Sequence, residues 1–111
     1  MEQGEIWFVV PPSETVGHEY QKARPMVVIQ SDQQLKVTSG ITLMPFTTQT
    51  SGHQDDILVK KSQLNNLFYD SLIKVHHIST FDYQRFDRKI GVLEDEYLIK
   101  IKKYLKRHFG I

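Results

Sequence analysis

Residues 93–110, LEDEYLIKIKKYLKRHFG, mark the point at which the hydrophobic period of this chain changes. Three acidic residues lie near the start of this segment, Lys106 and Arg107 lie near its end, and Gly110 follows, as the helix dipole and a glycine stop favour. The apolar side chains recur at helical spacing, at Leu93, Tyr97, Leu98, Ile101, Tyr104 and Leu105. The segment therefore predicts a C-terminal helix with one apolar face.

Upstream of this helix the apolar residues form short runs that are typical of strands. Polar loops rich in turn residues separate the runs. They cover residues 5–10, 26–29, 41–46, 56–60 and 71–78. A shorter helical turn is predicted around Tyr83 to Lys89. Strands followed by a terminal helix predict a mainly β (β+α) fold, in which a small curled antiparallel sheet or barrel packs on that helix.

Length and composition predict one domain over residues 1–111, since 111 residues form one core and leave no room for a second. Cysteine is absent, which excludes disulfides and thiolate metal sites and suits a reducing cytoplasm. The acidic N-terminus is not a signal peptide, and no apolar run reaches the length of a membrane span. We therefore expect a cytoplasmic protein that does not associate with a membrane.

The small net charge of +1 conceals an asymmetry between the two parts of the chain. Residues 1–82 hold six Lys and Arg against nine Asp and Glu, whereas residues 83–111 hold eight against four. A basic C-terminal part can meet phosphates or an acidic protein partner. Charge alone favours the simpler interpretation of a solvated helix face.

The loop at residues 17–25, GHEYQKARP, carries the first candidate for phosphoryl chemistry. Pro25 biases Arg24 toward an extended backbone, so Arg24 is expected at the root of a strand. There its planar guanidinium could hold a phosphate through two hydrogen bonds. The alternative is an ion pair between Arg24 and a carboxylate such as Glu19.

A second loop, PFTTQ at residues 45–49, offers hydroxyls and an amide directly after a strand. Thr47 could donate a hydrogen bond to a phosphate oxygen. The alternative is that these side chains only satisfy the backbone of a turn.

The late strand at residues 72–78, LIKVHHI, supplies a lysine and two histidines. Side chains alternate across a strand, so Lys74 and His76 share one face and are expected to be exposed together. His76 and His77 diverge for the same reason, and the chain has no HExxH spacing. We therefore predict no metal site.

Five pieces of the chain stand in an order that resembles the MazF/PemK family of toxin ribonucleases. The resemblance runs from Gly4 to Ile111. It implies homodimers of SH3-like barrels, of the type found in CcdB and MazF, each with a C-terminal helix, and an RNA groove at or near the dimer interface. The five pieces are Gly4-Glu5-Ile6-Trp7, Gly17-His18-Glu19 before Arg24-Pro25, Val27-Val28-Ile29, Pro45-Phe46-Thr47-Thr48-Gln49 and Ser79-Thr80-Phe81-Asp82.

This resemblance implies a sequence-specific endoribonuclease, an mRNA interferase, that needs no metal or other cofactor. The ribose 2′-hydroxyl of single-stranded mRNA would attack the neighbouring phosphorus and leave a 2′,3′-cyclic phosphate and a 5′-hydroxyl. The family's arginine and threonine fall on Arg24 and Thr47, donors suited to a phosphorane that gains negative charge. A cognate antitoxin of the MazE/PemI type is the expected protein partner.

The acid and base depart from the family pattern. The resemblance implies a supporting role for His18 and makes Glu19 a candidate base. An arginine and an aspartate of other members fall on Lys74 and His76, so the aspartate is missing. Our hypothesis is that His76 acts as the base, with the Lys74 charge favouring a neutral imidazole. The alternative is that both only contact RNA phosphate.

Residues for RNA binding are expected beside the catalytic pair. Tyr20 and Gln49 could stack on or hydrogen-bond an unpaired base. Thr48 and Lys74 complete the predicted RNA-binding set.

Two other functions stay open at this stage. A DNA gyrase poison of the CcdB type shares the barrel, and that family ends in a tail similar to Phe109-Gly110-Ile111. In that case Arg24 and Thr47 would be dispensable. A non-catalytic module that binds RNA or an antitoxin without cutting RNA is the third possibility.

Overall fold

The computed structural model describes residues 1–12, 22–49 and 52–111. These residues form seven strands, two α-helices and one 3₁₀ turn. In chain order they are β1 (Glu5–Val9), β2 (Arg24–Val28), α1 (Asp32–Leu35), β3 (Gly40–Thr47), β4 (Ile57–Val59), β5 (Ser71–Ile73), β6 (Ser79–Asp82), the 3₁₀ turn (Tyr83–Arg85), β7 (Phe86–Val92) and α2 (Asp95–Phe109).

The strands form one antiparallel sheet in the order β4-β5-β3-β2-β1-β7, with β6 also paired to β3. Among the described residues no pairing joins β4 to β7, so the sheet does not close into a barrel. The predicted mainly β architecture with a C-terminal helix is confirmed.

Two local predictions were wrong. The strand predicted over residues 71–78 ends at Ile73, because the chain turns directly after Lys74, where the His77 amide donates to Lys74 O at 3.1 Å. The helical turn predicted to reach Lys89 stops at Arg85. The residues after it extend along β1 as strand β7.

The helix α2 covers the main core. It begins with Asp95 and Glu96 in its first turn and ends at Gly110, which adopts a left-handed backbone with φ 68°. Its buried face packs on side chains from five strands and from Val75 and Leu93. The largest fully buried side chains of this core are Ile6, Val27, Met44, Val59, Ile73, Val75, Leu93 and Ile101. Burial of each stabilises the fold by about 1.5–3 kcal/mol.

The opposite face of the sheet carries a smaller apolar cluster. Val9, Met26 and Leu43 are buried there, and the half-buried rings of Trp7, Phe81 and Phe86 pack around them. Neighbouring residues of one strand point to opposite faces. Met26 therefore belongs to this cluster and Val27 to the main core.

The segment between β4 and β5 is held by Asn65, a fully buried amide with four hydrogen bonds. Its Oδ1 accepts from the amides of Ser62 and Leu67 at 3.0 and 3.1 Å. Its Nδ2 donates to Lys60 O at 2.8 Å and to Glu94 Oε1 at 3.0 Å. This segment is thereby fixed to the start of α2.

Gly91 lets β7 approach the same segment. A Cβ atom at this position would lie 2.5 Å from Asn65 O. Within the described ranges, no helix has both the length and the apolar character needed to cross a membrane.

Candidate active site

The two residues expected to carry the chemistry lie at the same end of the sheet. The β2–β3 register joins Val28 to Leu43, Val27 to Met44 and, as its last pair, Met26 to Pro45. Arg24 lies two residues beyond this pair on β2, and Thr47 lies two residues beyond it on β3. In the sheet itself Arg24 pairs with Val9 of β1 and Thr47 with Leu72 of β5.

Arg24 is the first residue of β2 and is half-buried. Its Nε donates to Lys22 O at 3.5 Å, which holds the guanidinium beside the preceding loop. The alternative partner considered from the sequence, Glu19, lies outside the described residues.

Thr47 is the last residue of β3. Its side chain can both satisfy the backbone of the turn and donate to a phosphate, the two roles considered from the sequence. Its Oγ1 accepts from the Gln49 amide at 3.2 Å, so it does satisfy the backbone of the following turn. This bond uses an oxygen lone pair and not the hydroxyl proton. The hydroxyl can therefore also donate to a phosphate oxygen. Thr48 and Gln49, both exposed, follow it on the surface.

Thr47 and Thr48 line a cleft of about 400 Å³ at this end of the sheet. Its lining combines an apolar floor, hydroxyl groups on one side and two cations on the other. We call this feature the cleft; its floor includes Phe8, Pro25, Phe46 and Ile90, and its sides include Thr47, Thr48, Arg88, Lys89, Phe68 and Tyr69.

The cations of the cleft come from β7, which the sequence analysis did not identify as a strand. The guanidinium of Arg88 lies 4.5 Å from the centre of the Phe8 ring and 3.0 Å from Asp87 Oδ2. Lys89 Nζ lies 3.5 Å from Glu5 Oε2. A cation over an aromatic ring is held in place while its outer N–H groups stay able to bind an anion.

Two exposed aromatic side chains lie at the rim of the cleft. Phe68 is 85% exposed and Tyr69 is 69% exposed. The next residue, Asp70, anchors them, because its carboxylate accepts from the Lys61 amide at 2.9 Å and lies 3.5 Å from Lys60 Nζ. The Lys61 amide, helped by the Lys60 charge, holds the pKa of Asp70 below its usual range. Two adjacent aromatic residues in a loop, Phe68 and Tyr69, are the sequence signal for this rim.

The predicted Lys74 and His76 do not line the cleft, and neither does Arg24, although its neighbour Pro25 does. Lys74 Nζ bonds to Asp56 Oδ2 at 2.5 Å, and the two side chains are only 16% and 2% exposed. The lysine charge is therefore compensated by a buried carboxylate. Because β5 ends before Lys74, the shared strand face expected for these two residues does not form.

His76 faces α2. Its Nδ1 lies 2.8 Å from the Tyr104 hydroxyl, and its Nε2 lies 3.0 Å from His53 Nδ1 and 3.4 Å from Asp55 Oδ2. Burial raises the pKa of Tyr104, and the hydrogen bond from Arg107 lowers that of Asp55. The ligand atoms of His53, Asp55 and His76 lie within 4.8 Å of one another, close enough to share a metal ion.

The remaining predicted residues, His18, Glu19 and Tyr20, lie in residues 13–21, outside the described part of the chain. Their roles in proton transfer and RNA binding stay predictions.

Comparison with known protein families gives a match over almost the whole chain. A family model described as PemK-like, MazF-like toxin of type II toxin-antitoxin system matches residues 2–109. A comparison with curated proteins gave no match.

Solved structures share the fold over nearly the whole chain. MazF from Deinococcus radiodurans has a TM-score of 0.81 at 18% identity, covering 100% of this chain and 97% of that chain. The Mycobacterium tuberculosis toxin MazF-mt6 has a TM-score of 0.75 at 19% identity, covering 96% and 97%. A mycobacterial endoribonuclease in complex with its cognate antitoxin has a TM-score of 0.77 at 14% identity, covering 100% and 96%.

Proposed function

The chain belongs to the family of PemK-like, MazF-like toxins of type II toxin-antitoxin systems, and from this premise we propose that it is a sequence-specific endoribonuclease. It cuts single-stranded mRNA without a metal, by attack of the ribose 2′-hydroxyl on the neighbouring phosphorus. The products are a 2′,3′-cyclic phosphate and a 5′-hydroxyl. The observation that supports this proposal is the β2–β3 register, because Arg24 and Thr47 both lie just beyond its last pair, Met26–Pro45, at the same end of the sheet.

These two residues stabilise the transition state in this mechanism. Attack of the 2′-hydroxyl gives a phosphorane with more negative charge than the starting diester. The Arg24 guanidinium and the Thr47 hydroxyl donate hydrogen bonds to its oxygens and bind it more strongly than the ground state. DNA lacks the 2′-hydroxyl, so it can be bound but not cut.

The cleft binds the rest of the RNA strand. Phe68 and Tyr69 offer exposed ring faces on which unpaired bases stack, and Arg88 and Lys89 meet backbone phosphates. Thr48 and Gln49 add hydrogen-bonding groups next to Thr47. An RNA strand that lies along the cleft places a phosphate near Thr47.

Proton transfer belongs to another part of the chain in this proposal. His76 could serve as base in this subunit only if its ring left Tyr104 and His53. His18 and Glu19, which precede Arg24, are therefore the residues to which we assign it.

We further propose that the toxin is a homodimer and that a cognate antitoxin neutralises it. The cluster around Met26 leaves Trp7, Phe81 and Phe86 half-buried on the open face of the sheet, and a second copy would cover them. The cleft presents Arg88 to an acidic segment, which would compete with RNA for the same surface. A mycobacterial relative forms a complex with its antitoxin.

A gyrase poison is the second candidate, and one feature favours it. Phe109 and Ile111 at the C-terminus are 60% and 88% exposed, as a docking tail requires. Under this alternative the C-terminal residues are essential and Arg24 is dispensable.

The test is cleavage of mixed-sequence single-stranded RNA in EDTA, with sequencing of the cut sites and chemical identification of the product ends. Arg24→Ala and Thr47→Ala should abolish cleavage, while Arg85→Ala, which removes an exposed arginine outside the cleft, should not. Absence of cleavage across all sequences, or cleavage that both variants retain, would refute the proposal. Growth inhibition that persists in Arg24→Ala but is lost on removal of the C-terminal residues would instead support the gyrase alternative.

A further inference from the structure

Three side chains from two distant parts of the chain converge beside α2, apart from the cleft. We propose that His53, Asp55 and His76 form a binding site for a divalent transition-metal ion such as Zn²⁺. Imidazole and carboxylate ligands suit this class of ion, whereas Mg²⁺ and Ca²⁺ prefer all-oxygen sites. We call this region, with Tyr104 and Arg107, the histidine junction.

The distances between the three ligand atoms fit one face of a metal tetrahedron. His53 Nδ1 lies 3.0 Å from His76 Nε2 and 3.5 Å from Asp55 Oδ2, and His76 Nε2 lies 3.4 Å from Asp55 Oδ2. Metal–ligand bonds of about 2.0–2.2 Å in tetrahedral geometry set neighbouring ligands about 3.3–3.6 Å apart. An ion therefore fits with small adjustments of the three side chains.

Outer partners orient two of the three ligands. Asp55 uses its other oxygen, Oδ1, to accept from Arg107 Nη2 at 2.8 Å. The remote nitrogen of His76, Nδ1, lies 2.8 Å from the Tyr104 hydroxyl, which in turn lies 2.8 Å from His108 Nδ1. Metal-bound histidines and carboxylates characteristically have such partners, which fix the tautomer and the ring direction.

The backbone around the ligands is also tied down. Asp56 Oδ2 accepts from the His53 amide at 2.9 Å and from Lys74 Nζ at 2.5 Å. The loop that carries His53 and Asp55 is therefore linked to the turn that carries His76 even without an ion. Such preorganisation lowers the cost of binding.

Each of the three ligand atoms has a hydrogen-bond or ion-pair partner without an ion, and a cation would draw all three together. The lone pair of His53 Nδ1 faces the Asp55 amide at 3.1 Å, a contact that an ion would replace. A single proton on His76 Nε2 can serve His53 or Asp55, but not both. A metal ion satisfies the lone pairs of all three atoms at once.

The site is open to solvent, which leaves room for water as a fourth ligand. The side chains of His53, His76 and Asp55 are 50%, 37% and 23% exposed. None of the three lines the cleft, so the ion would stabilise the junction between the loop, the turn and α2. The proposal holds whether or not the protein cuts RNA.

The test uses untagged full-length protein, stripped of metal with EDTA and then dialysed free of it. Titration with ZnCl₂ should show one ion per chain by calorimetry, with a Kd in the micromolar range or below. Zinc at about 100 times this Kd should raise the Tm by about 10 °C, and MgCl₂ should leave it unchanged. Binding no tighter than millimolar, or an unchanged Tm, would overturn the proposal.

Variants separate this site from casual binding to exposed histidines. His53→Ala and His76→Ala should each weaken zinc binding at least about 10-fold, while His77→Ala, a histidine in the same turn, keeps the affinity of the parent protein. Far-UV circular dichroism checks that each variant is folded. Equal zinc affinity in the parent, His53→Ala and His76→Ala would contradict the assignment, as would a loss in His77→Ala of the same size. If both ligand variants unfold, the absorption bands of tetrahedral Co²⁺ in the parent protein decide the question.

Discussion

The cleft and the histidine junction both gather cations, aromatic rings and polar groups, but they use them differently. In the cleft, Phe68 is 85% exposed, and the outer face of Arg88 is turned to solvent. In the junction, Tyr104 is 6% exposed and bonds to two histidines. Exposed groups stay accessible to a ligand even when they have a partner, as Arg88 has in Asp87, whereas buried groups that satisfy one another hold a fixed local geometry.

This comparison explains why one sequence-based hypothesis for His76 loses support. A base must reach the 2′-hydroxyl of the substrate. His76 instead spends both ring nitrogens on the junction, while Thr47 lines the cleft. Substitutions at His76 and Thr47 therefore test most directly whether the cleft or the histidine junction carries the chemistry.

The largest effect is expected from the catalytic pair. Arg24→Ala should lower kcat/KM for RNA cleavage about 10²–10³-fold, because it removes donors to the developing charge. Thr47→Ala should also be severely impaired, and Thr47→Ser, which keeps the hydroxyl, should recover much of the loss. His76→Ala should cost less than 10-fold. If kcat/KM falls as far in His76→Ala as in Arg24→Ala, His76 of the histidine junction acts as the base after all.

The next largest effect concerns the stability of the cleft wall, the segment between β4 and β5 that carries Phe68 and Tyr69. Asn65→Ala removes four hydrogen bonds and leaves buried backbone groups without partners. We expect a loss of about 3 kcal/mol in the free energy of unfolding, measured by urea denaturation. Gln63→Ala, at an exposed neighbouring position, serves as the control and should change stability by less than about 0.5 kcal/mol. A similar small change in both variants would show that Asn65 does not anchor the wall.

RNA affinity should respond to the exposed rim of the cleft. Phe68→Ala should raise the Kd for a non-cleavable single-stranded RNA roughly 5–150-fold, which corresponds to the loss of about 1–3 kcal/mol for one stacked base. Phe109→Ala removes another exposed ring, 60% accessible, from the far end of α2 and should leave the Kd unchanged. Equal effects of the two substitutions would place RNA elsewhere on the surface.

The smallest effect is a pH dependence at Asp70. Its pKa is lowered in the folded state, below the ordinary value of 3.8, so the charged form stabilises the fold. That contribution is complete above about pH 4 and disappears as the pH falls through the lowered value. Asp70→Asn should therefore be slightly less stable than the parent at pH 7, and the difference in Tm should vanish in stronger acid. A difference that persists unchanged at low pH would rule out the charge as its source.

Much of the fold was predictable because its signals are local. The apolar period of α2 lies within one segment, and the predicted helix matches Asp95–Phe109 closely. The apolar run of β2 identified a strand for the same reason. Strand β7 was missed because it mixes Asp87, Arg88 and Lys89 with apolar residues, and its extended form depends on pairing with β1.

The sequence by itself determined the class of fold and the family likeness and made Arg24 and Thr47 the candidates for catalysis, since each depends on short motifs and their order. Only the tertiary structure decided which residues meet. Thr47 of β3 joins Arg88 of β7 in the cleft although two other strands, β2 and β1, lie between these strands in the sheet, and His53 joins His76 across 23 positions of the chain. The physical reason is that strand register and helix packing set these distances, and neither leaves a spacing that can be recognised along the chain.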